Sequence, residues 1–556
     1  GTFYSTKGLF RGGAGGANLG YASRFTEDRV KDFFNSLVTY KVKVDKLDVN
    51  VLAGYEQQVN NKENFRVQAR NLPSEGQSYN SVGSTNATTV SDPGVRISSF
   101  KARNKLVSYL GRVGLNYDDT YFGQVSLRRD GSSMLAEGKK TGLFYSVSGG
   151  ANLNKILKLN NVDNLKLRVG YGTTGALPRT EYLNQTLYKS SIGVIELARN
   201  PSNFGWERKA ELNAGIDFGV LGNRLTGSVD YYSRNITDML YYFGTIPGTE
   251  LQGADAGLWA NAGNLTSSGI EVAVNYNVIK AKSNDDLNWV TSFNFSTLSS
   301  VLNKLSTDQL KIGAQGRLEI ASAGLPGTSN VNYVLVEEGK TLGQLYGYKY
   351  AGVDAAGNAK IFNKEGVAVP LADGKSADKV VIGNGLPKFT FGWSNSLRYG
   401  AFDFNIFLRG VLGHQLMNEY RITYENADKG ETEKFNRIQT KYYDAAYKQG
   451  PRDVLDRFVE KADFLRIDNI TLGYTLKLPA AASNLFKSAR VFASANNVAT
   501  FTGYTGVNPE PIFVDYGGGN NGAERALVGD PLAIGIDRRS NYFTTRSFNI
   551  GLSLGF

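Results

Sequence analysis

The feature that most constrains the fold is a two-residue alternation repeated along the chain, clearest in its last stretch. Phe548, Ile550, Leu552, Leu554 and Phe556 alternate with Ser547, Asn549, Gly551, Ser553 and Gly555. Successive side chains of a strand point to opposite faces, so one face here is wholly apolar and the other small or polar. A run of about ten residues matches a tilted transmembrane strand. The form recurs. Val38, Tyr40, Val42 and Val44 alternate with Thr39, Lys41 and Lys43, and beyond a turn at Asp45-Lys46 a second run continues through Val49, Val51, Ala53 and Tyr55. Leu165, Leu167 and Val169 alternate with Lys166 and Arg168; Ile216 and Phe218 flank Asp217; Leu225, Val229 and Tyr231 share a face opposite Arg224 and Asp230; Phe402 to Leu408 alternate around Asp403, with Arg409 following. About 15 such segments are clear by this criterion, with weaker ones near 343–350 and 358–362. Between Phe464 and Leu478 the phase slips by one residue, which predicts a β-bulge near Asp468-Asn469.

The connections sort into two kinds. Those at 45–46, 118–120, 154–163, 221–223, 281–287, 400–401 and 479–488 are short. The intervening ones, about 58–104, 173–208, 235–267, 299–342, 412–462 and 498–546, are mostly long. A soluble sandwich has no reason to sort its loops this way, whereas a membrane barrel has short turns at one rim and long loops at the other. The expected fold is therefore all-β: a large antiparallel transmembrane β-barrel. Lys41, Lys166, Arg168, Asp217, Arg224, Asp230, Asp403 and Arg409 fall on the polar phase and are expected to face the lumen, because a Lys or Arg facing lipid at mid-bilayer costs about 2–4 kcal/mol.

Composition agrees. Among 556 residues there are 64 Gly, 31 Tyr, no Cys and one His, and the formal net charge is +11. No disulfide framework, thiol chemistry or His-based metal site can be built from these residues. No apolar run is long enough for a transmembrane helix, and a β-barrel escapes hydropathy because half of each strand is polar. The basic balance fits an anionic substrate or lipid headgroups, and equally fits ordinary lumen and loop lysines. A chain starting at Gly1-Thr2-Phe3 without a signal peptide is expected to be processed or a fragment.

Catalysis has little to work with. His414 alone would have to serve any Ser-His-Asp arrangement, and a solvated loop histidine is the simpler reading. Gly517 to Gly522 match a GxGxxG spacing without the strand–helix context of a nucleotide site, and read as a surface loop, as does the Gly-rich run from Gly12 to Gly20. No enzyme activity, cofactor, metal or nucleic-acid partner is expected. Tyr241, Tyr242, Phe243 and Trp259 lie in one long connection and are candidate ligand contacts, since aromatic rings stack on sugars or pack on peptide side chains. An interfacial belt or loop–loop packing would use the same residues. Lys429, Lys434, Arg437 and Lys441 could meet a partner or simply be solvated.

Several motifs resemble one family, the SusC/RagA-type TonB-dependent transporters of Bacteroidota outer membranes. Leu127-Arg128-Arg129-Asp130-Gly131-Ser132-Ser133 resembles its RxDGSS strand end, and Leu165-Lys166-Leu167-Arg168 with Tyr171-Gly172-Thr173-Thr174-Gly175 is similar to its LKLR…YG.tG strand. Asn200-Pro201 with Trp206-Glu207, Asp230-Tyr231-Tyr232 with Asp238-Met239-Leu240, and Asn264 with Ser268-Gly269-Ile270-Glu271 follow in the family's order. So do Gly343 to Tyr348, Phe464-Leu465-Arg466-Ile467 with Asn469 to Tyr474, and Asn496-Asn497 with Tyr504-Thr505-Gly506 and Pro509-Glu510.

The resemblance implies a barrel of roughly 22 strands enclosing a plug. This chain would supply about 17 to 18 of them, with the plug and the TonB-interacting segment upstream. It also implies a SusD-like surface lipoprotein partner and TonB-driven import of glycans or oligopeptides across the outer membrane. A siderophore- or cobalamin-type receptor, or a passive porin or structural barrel, are the alternatives. Phe556 resembles the terminal aromatic signal of barrel assembly. With upstream strands missing, the sheet is expected to be open at both edges.

Overall fold

The computed structural model describes residues 2–5, 20–72, 95–178, 181–185, 187–191, 194–199, 203–243, 258–283, 285–305, 317–322, 331–425, 438–448, 453–479, 485–514, 531–539 and 541–556. The Gly-rich runs at 12–19 and 517–522, Lys429, Lys434 and Arg437, and the side chains of Tyr242 and Phe243 lie outside the described residues. One sheet of 18 strands dominates. In chain order these are β1 (Thr2–Ser5), β2 (Gly20–Val44), β3 (Leu47–Leu72), β4 (Val95–Tyr117), β5 (Tyr121–Ser132), β6 (Thr141–Asn152), β7 (Val162–Ala176), β8 (Glu207–Val220) and β9 (Leu225–Thr237). They continue as β10 (Asn264–Ile279), β11 (Asn288–Thr297), β12 (Ser299–Lys304), β13 (Lys340–Thr341), β14 (Phe389–Tyr399), β15 (Phe402–Leu412), β16 (Phe464–Thr475), β17 (Ser488–Thr502) and β18 (Ser547–Gly555).

Successive long strands pair antiparallel, so the sheet is an up-and-down meander. It runs on from β10 through β11 and β14 to β18. β12 prolongs β11 past a break at Leu298 and keeps pairing with β10. Val113, Val125, Val147, Tyr171 and Leu212 stand opposite one another across β4 to β8. All five are exposed. Such a belt of exposed apolar side chains is stable only where lipid replaces water as the solvent. The opposite face is polar, and the short turns and long loops sort to opposite rims.

The predicted bulge is present: Phe407 pairs with Asn469 and Leu408 with Ile467, leaving Asp468 as the extra residue. Two expectations need correction. The stretch 58–104 is not all loop, because β3 runs to Leu72 and β4 starts at Val95. A bilayer crossing takes about 9–11 residues. β2 and β3 have 25 and 26, so they project well beyond it. There both faces are wet, and hydrophobic alternation vanishes while the backbone ladder continues. The weak segments near 343–350 and 358–362 form strands, but in two small sheets outside the barrel sheet. Their residues are buried in a loop core, with no lipid-facing phase. In keeping with the expected open edges, β18 pairs only with β17, and β2 is paired beyond β3 only at Tyr21–Arg24, where β1 lies, so among the described residues the sheet is not closed.

The described parts of the long connections are folded. Residues from 302–348, 359–386, 417–458 and 532–536 share one hydrophobic core above the barrel rim, including Tyr333, Leu345, Ile361, Met417, Ile422, Phe458 and Ile536. We refer to this as the dome.

Candidate functional site

Registered ribs of small polar residues cross the inner wall. Asn50, Gly114, Gln124, Ser148, Gly170 and Asn213 lie in one rib across β3 to β8. Ser126, Ser146 and Gly172 lie in the next, where the Ser126 and Ser146 hydroxyls are 2.7 Å apart. Residues this small leave hollows: one of about 520 Å³ bordered by Asp48, Asn116, Phe122 and Lys166, and one of about 630 Å³ bordered by Arg128, Asp130, Thr174 and Lys209. They share Ser148, Gly170 and Asn213, so together they form a trough running along the strands toward both rims.

Ion pairs flank the trough, several of them spanning three strands. The Arg168 guanidinium donates to both Asp217 oxygens at 2.8 and 2.7 Å, and to Asp230 at 3.0 Å. Arg168 and Asp230 sit on β7 and β9, either side of Gly215 on β8. A Cβ at Gly215 would lie 2.1 Å from Asp230 Oδ1 and 3.0 Å from Arg168 Nη2. Gly473 plays the same part between Asp403 on β15 and Arg490 on β17, whose guanidinium donates at 2.7 and 2.5 Å. Arg128 donates to Asp130 at 2.8 Å and to Ser108 at 2.8 Å, and pairs with Glu56 at 2.8 Å. The RxDGSS-like strand end is thus an interior ion-pair motif: Arg128 and Asp130, two residues apart in a strand, share one face.

Glu211 and Arg234 pair directly across β8 and β9 at 2.8 Å. Lys166 rests its ammonium 4.4 Å from the Phe122 ring centroid. Arg224 is a correction to the expected lumen set. It lies in the turn before β9 and donates to the backbone carbonyls of Asn277 and Val278, so it caps strand ends at the short-turn rim. Phe556 stands just past β18 at the same rim, its ring 5.1 Å from that of Phe486.

At the long-loop rim the bulge at Asp468 matters. Arg409 donates to Asp468 at 2.7 Å and, through both Nη atoms, to Glu510 at 2.5 and 2.9 Å. Arg466 donates to Glu510 at 3.2 Å, Asn508 at 2.9 Å and Thr500 at 3.0 Å. His414 corrects the expectation of a solvated loop residue. It is 1% exposed, and its Nε2 is 2.9 Å from the Pro509 carbonyl oxygen, to which it donates in the tautomer with a bare Nδ1. Burial lowers its pKa below the usual imidazole value, against the raising effects of Pro509, Asp463 and Glu510. The Tyr504–Glu510 segment, which the family resemblance singled out, is a staple. The Thr505 N–H donates to Glu460 and that of Val507 to Asp537, Pro509 is held by His414, and Glu510 by two arginines.

Higher in the dome a second polar knot is sealed from water. Arg421, 1% exposed, donates to Glu425, to Glu460 at 3.1 Å and to the Arg457 carbonyl at 2.8 Å. Glu419 accepts from Arg538 at 2.9 Å and from the Tyr333 hydroxyl at 3.2 Å. Asp537 accepts from Tyr504, Asn541 and the Val507 amide; burial still raises its pKa above the usual carboxylate value. None of these acids, nor Arg421 or Arg538, stands out in the sequence, because folding of the long connections creates the pairs: Glu419 meets Tyr333 and Arg538 from two other connections, and Arg421 meets Glu460 within its own.

Tyr241 is 6% exposed and belongs to the dome core, which withdraws it from ligand contact in this conformation. Trp259 packs against a second cluster of Leu135, Phe144, Leu183, Phe204 and Trp206. Of the four candidate rings, Tyr241 and Trp259 are thus placed in loop packing. Lys441 donates to the Gly503 carbonyl at 2.7 Å.

A family model described as TonB dependent receptor-like, beta-barrel matches residues 1–498. The chain is 28% identical over 579 residues to "TonB-dependent receptor P3" of Formosa agariphila, covering 97% of this chain and 54% of that protein. It is 26% identical over 531 residues to "TonB-dependent receptor SusC" of Bacteroides thetaiotaomicron, covering 88% and 49%. Among solved structures, the RagAB peptide importer in its closed-closed state superposes with a TM-score of 0.77 at 21% identity, covering 97% of this chain and 57% of that one. At that identity the likeness concerns the fold. The chain spans about half the length of the curated relatives it matches.

Proposed function

The chain belongs to the TonB-dependent receptor-like β-barrel family of the outer membrane, and from that premise we propose that it forms the transport wall of a SusC/RagA-type importer of oligomeric nutrients, glycans or oligopeptides. The observation that carries this reading is the trough. It is a continuous hollow of Gly, Ser, Asn and Gln along the inner face, whose neighbouring Arg, Asp and Glu side chains are largely paired with one another. Such a surface offers amide and hydroxyl hydrogen bonds over a length suited to an extended polar chain, without a strong net charge to trap it. The folded dome adds a rigid platform on which a SusD-like lipoprotein would seat. Among the described residues β18 and the part of β2 beyond Tyr21–Arg24 have an unpaired edge, and lipid cannot satisfy free backbone N–H and C=O groups, which supports further strands. The proposal therefore includes strands, a plug and a TonB-contacting segment beyond those described.

The test is uptake by the full-length protein in its own outer membrane. Fluorescently labelled oligosaccharides and oligopeptides should accumulate only with the protein and TonB both present, and a lipoprotein should co-purify. Uptake that persists without TonB would overturn the reading in favour of a passive pore.

A further inference from the structure

The staple at the barrel mouth contains a preformed receptor for a carboxylate. Arg409 and Arg466 project from adjacent strands, β15 and β16, which pair at these two residues. Both guanidiniums lie over the Phe464 ring, at 5.4 and 5.0 Å from its centroid. Phe464 itself is 2% exposed, so this support is fixed. Asp468 and Thr500 hold the two Nε atoms at 2.7 and 3.0 Å. Three of the four remaining nitrogens meet on one carboxylate, that of Glu510: Arg409 as a two-pronged fork and Arg466 Nη1 from the side, while Arg466 Nη2 donates to Asn508 at 2.9 Å. Parallel donation by a guanidinium matches the two oxygens of a carboxylate.

Exposure separates Arg409 and Glu510 from the sealed knot above them, while Arg466 behind them is 5% exposed. Arg421, Glu425 and Glu460 are 0–2% exposed, and no outside ion reaches them. Arg409 and Glu510 are 30% and 32% exposed, so water and solutes reach the pair. An ion pair of that exposure contributes little, because solvent screens it and competes for it. Exchange needs only a rotation of the Glu510 side chain. The backbone on either side is held by Thr505 to Glu460, Val507 to Asp537, and the Gly535 amide to the Ile512 carbonyl.

We propose that Glu510 is an internal stand-in ligand, and that a carboxylate on the incoming chain displaces it from Arg409 and Arg466. The shared chemistry is a carboxylate on an extended polar oligomer, supplied by a uronate residue of a glycan or by the carboxyl terminus of a peptide. The inference rests on the transport reading for its physiological meaning and on the two arginines for its chemistry.

The experiment is titration calorimetry on the purified full-length protein with its native partner, with tri-galacturonate and trialanine as carboxylate probes and maltotriose and trialanine amide as counterparts lacking the carboxylate. Glu510→Gln should bind one or both carboxylate probes about fivefold more tightly than the unaltered protein, the factor corresponding to about 1 kcal/mol of competing ion pair. The counterparts should be unchanged, and adding Arg409→Gln should abolish the gain. Which carboxylate gains identifies the source. No gain for either, or an equal gain for the counterparts, overturns the inference. In the unaltered protein, saturating tri-galacturonate or trialanine should also alter hydrogen-exchange protection at 508–512 where the counterparts do not, and no difference would likewise overturn it. A gain in Glu510→Gln without TonB-dependent uptake would sink the transport reading alone; uptake without a gain would sink the inference alone.

Discussion

Replacing Gly215 by alanine should cost more than any ordinary strand glycine-to-alanine change. Alanine usually suits a strand better than glycine, so the default expectation is neutrality or a slight gain. Here the new Cβ would stand 2.1 Å from Asp230 Oδ1 and 2.9 Å from its Cγ, so the carboxylate must leave. What is lost is the Arg168–Asp230 contact at 3.0 Å, between side chains 35% and 15% exposed. Arg168 keeps Asp217, whereas Asp230 is left mostly buried without its cation. Partial exposure holds the loss to about 1–2 kcal/mol, below that of a sealed pair. Gly114, on the same inner face, is the control, since its Cβ would meet nothing closer than the Asn50 carbonyl at 3.9 Å. The assay is guanidinium unfolding of the full-length protein in detergent micelles, followed by tryptophan fluorescence. Gly215→Ala should lower the midpoint and Gly114→Ala should not. In an Asp230→Ala background Gly215→Ala should cost almost nothing, because the obstructed group is gone. Equal effects of the two glycine changes, or additivity with Asp230→Ala, would refute the saddle role of Gly215.

Two further outcomes follow from the dome. Arg421→Met leaves Glu425 and Glu460 buried without their cation and should destabilise the dome by about 3–5 kcal/mol, read as faster hydrogen exchange at 417–424 and 455–461 with the barrel strands unaffected. His414 has a folded-state pKa depressed by burial, so its contribution is present above the unfolded value and lost as pH falls through the folded one. Exchange protection of 504–510 should therefore weaken on acidification from pH 7.5 to about 5, in the range set by an imidazole's ordinary pKa. In His414→Gln that loss should flatten.

The barrel was legible because lipid imposes a period of two on every crossing strand, and Asp468 showed itself as a slip in that period. Where the solvent changes, the signal goes. The upper halves of β2, β3 and β4 have water on both faces, and Asn60, Lys62 and Asn64 alternate with nothing apolar enough to mark a strand. The small sheets around Leu345 and Ile361 are buried on an irregular loop core, so their short strands carry no lasting period. The ion pairs were half legible. Lys166, Arg168, Asp217, Asp403 and Arg409 fell on the polar phase, but Arg168 meets Asp230 across a strand, and Arg409 meets Glu510 at a separation of 101 residues. Tyr241 shows the opposite failure, since a conspicuous loop aromatic proved to be core.

The shared core of the dome bears on how barrels of this family diversify. Tyr333 and Ile361, Met417 and Phe458, and Ile536 come from three long segments yet pack as one unit, and Glu460 and Asp537 bind the same Tyr504–Val507 stretch. A single loop transplanted from a relative would bring half of an interface and leave the other half facing unmatched side chains. Changes of cargo preference in this architecture should therefore travel as cassettes, with segments 299–388, 412–462 and 498–546 exchanged together.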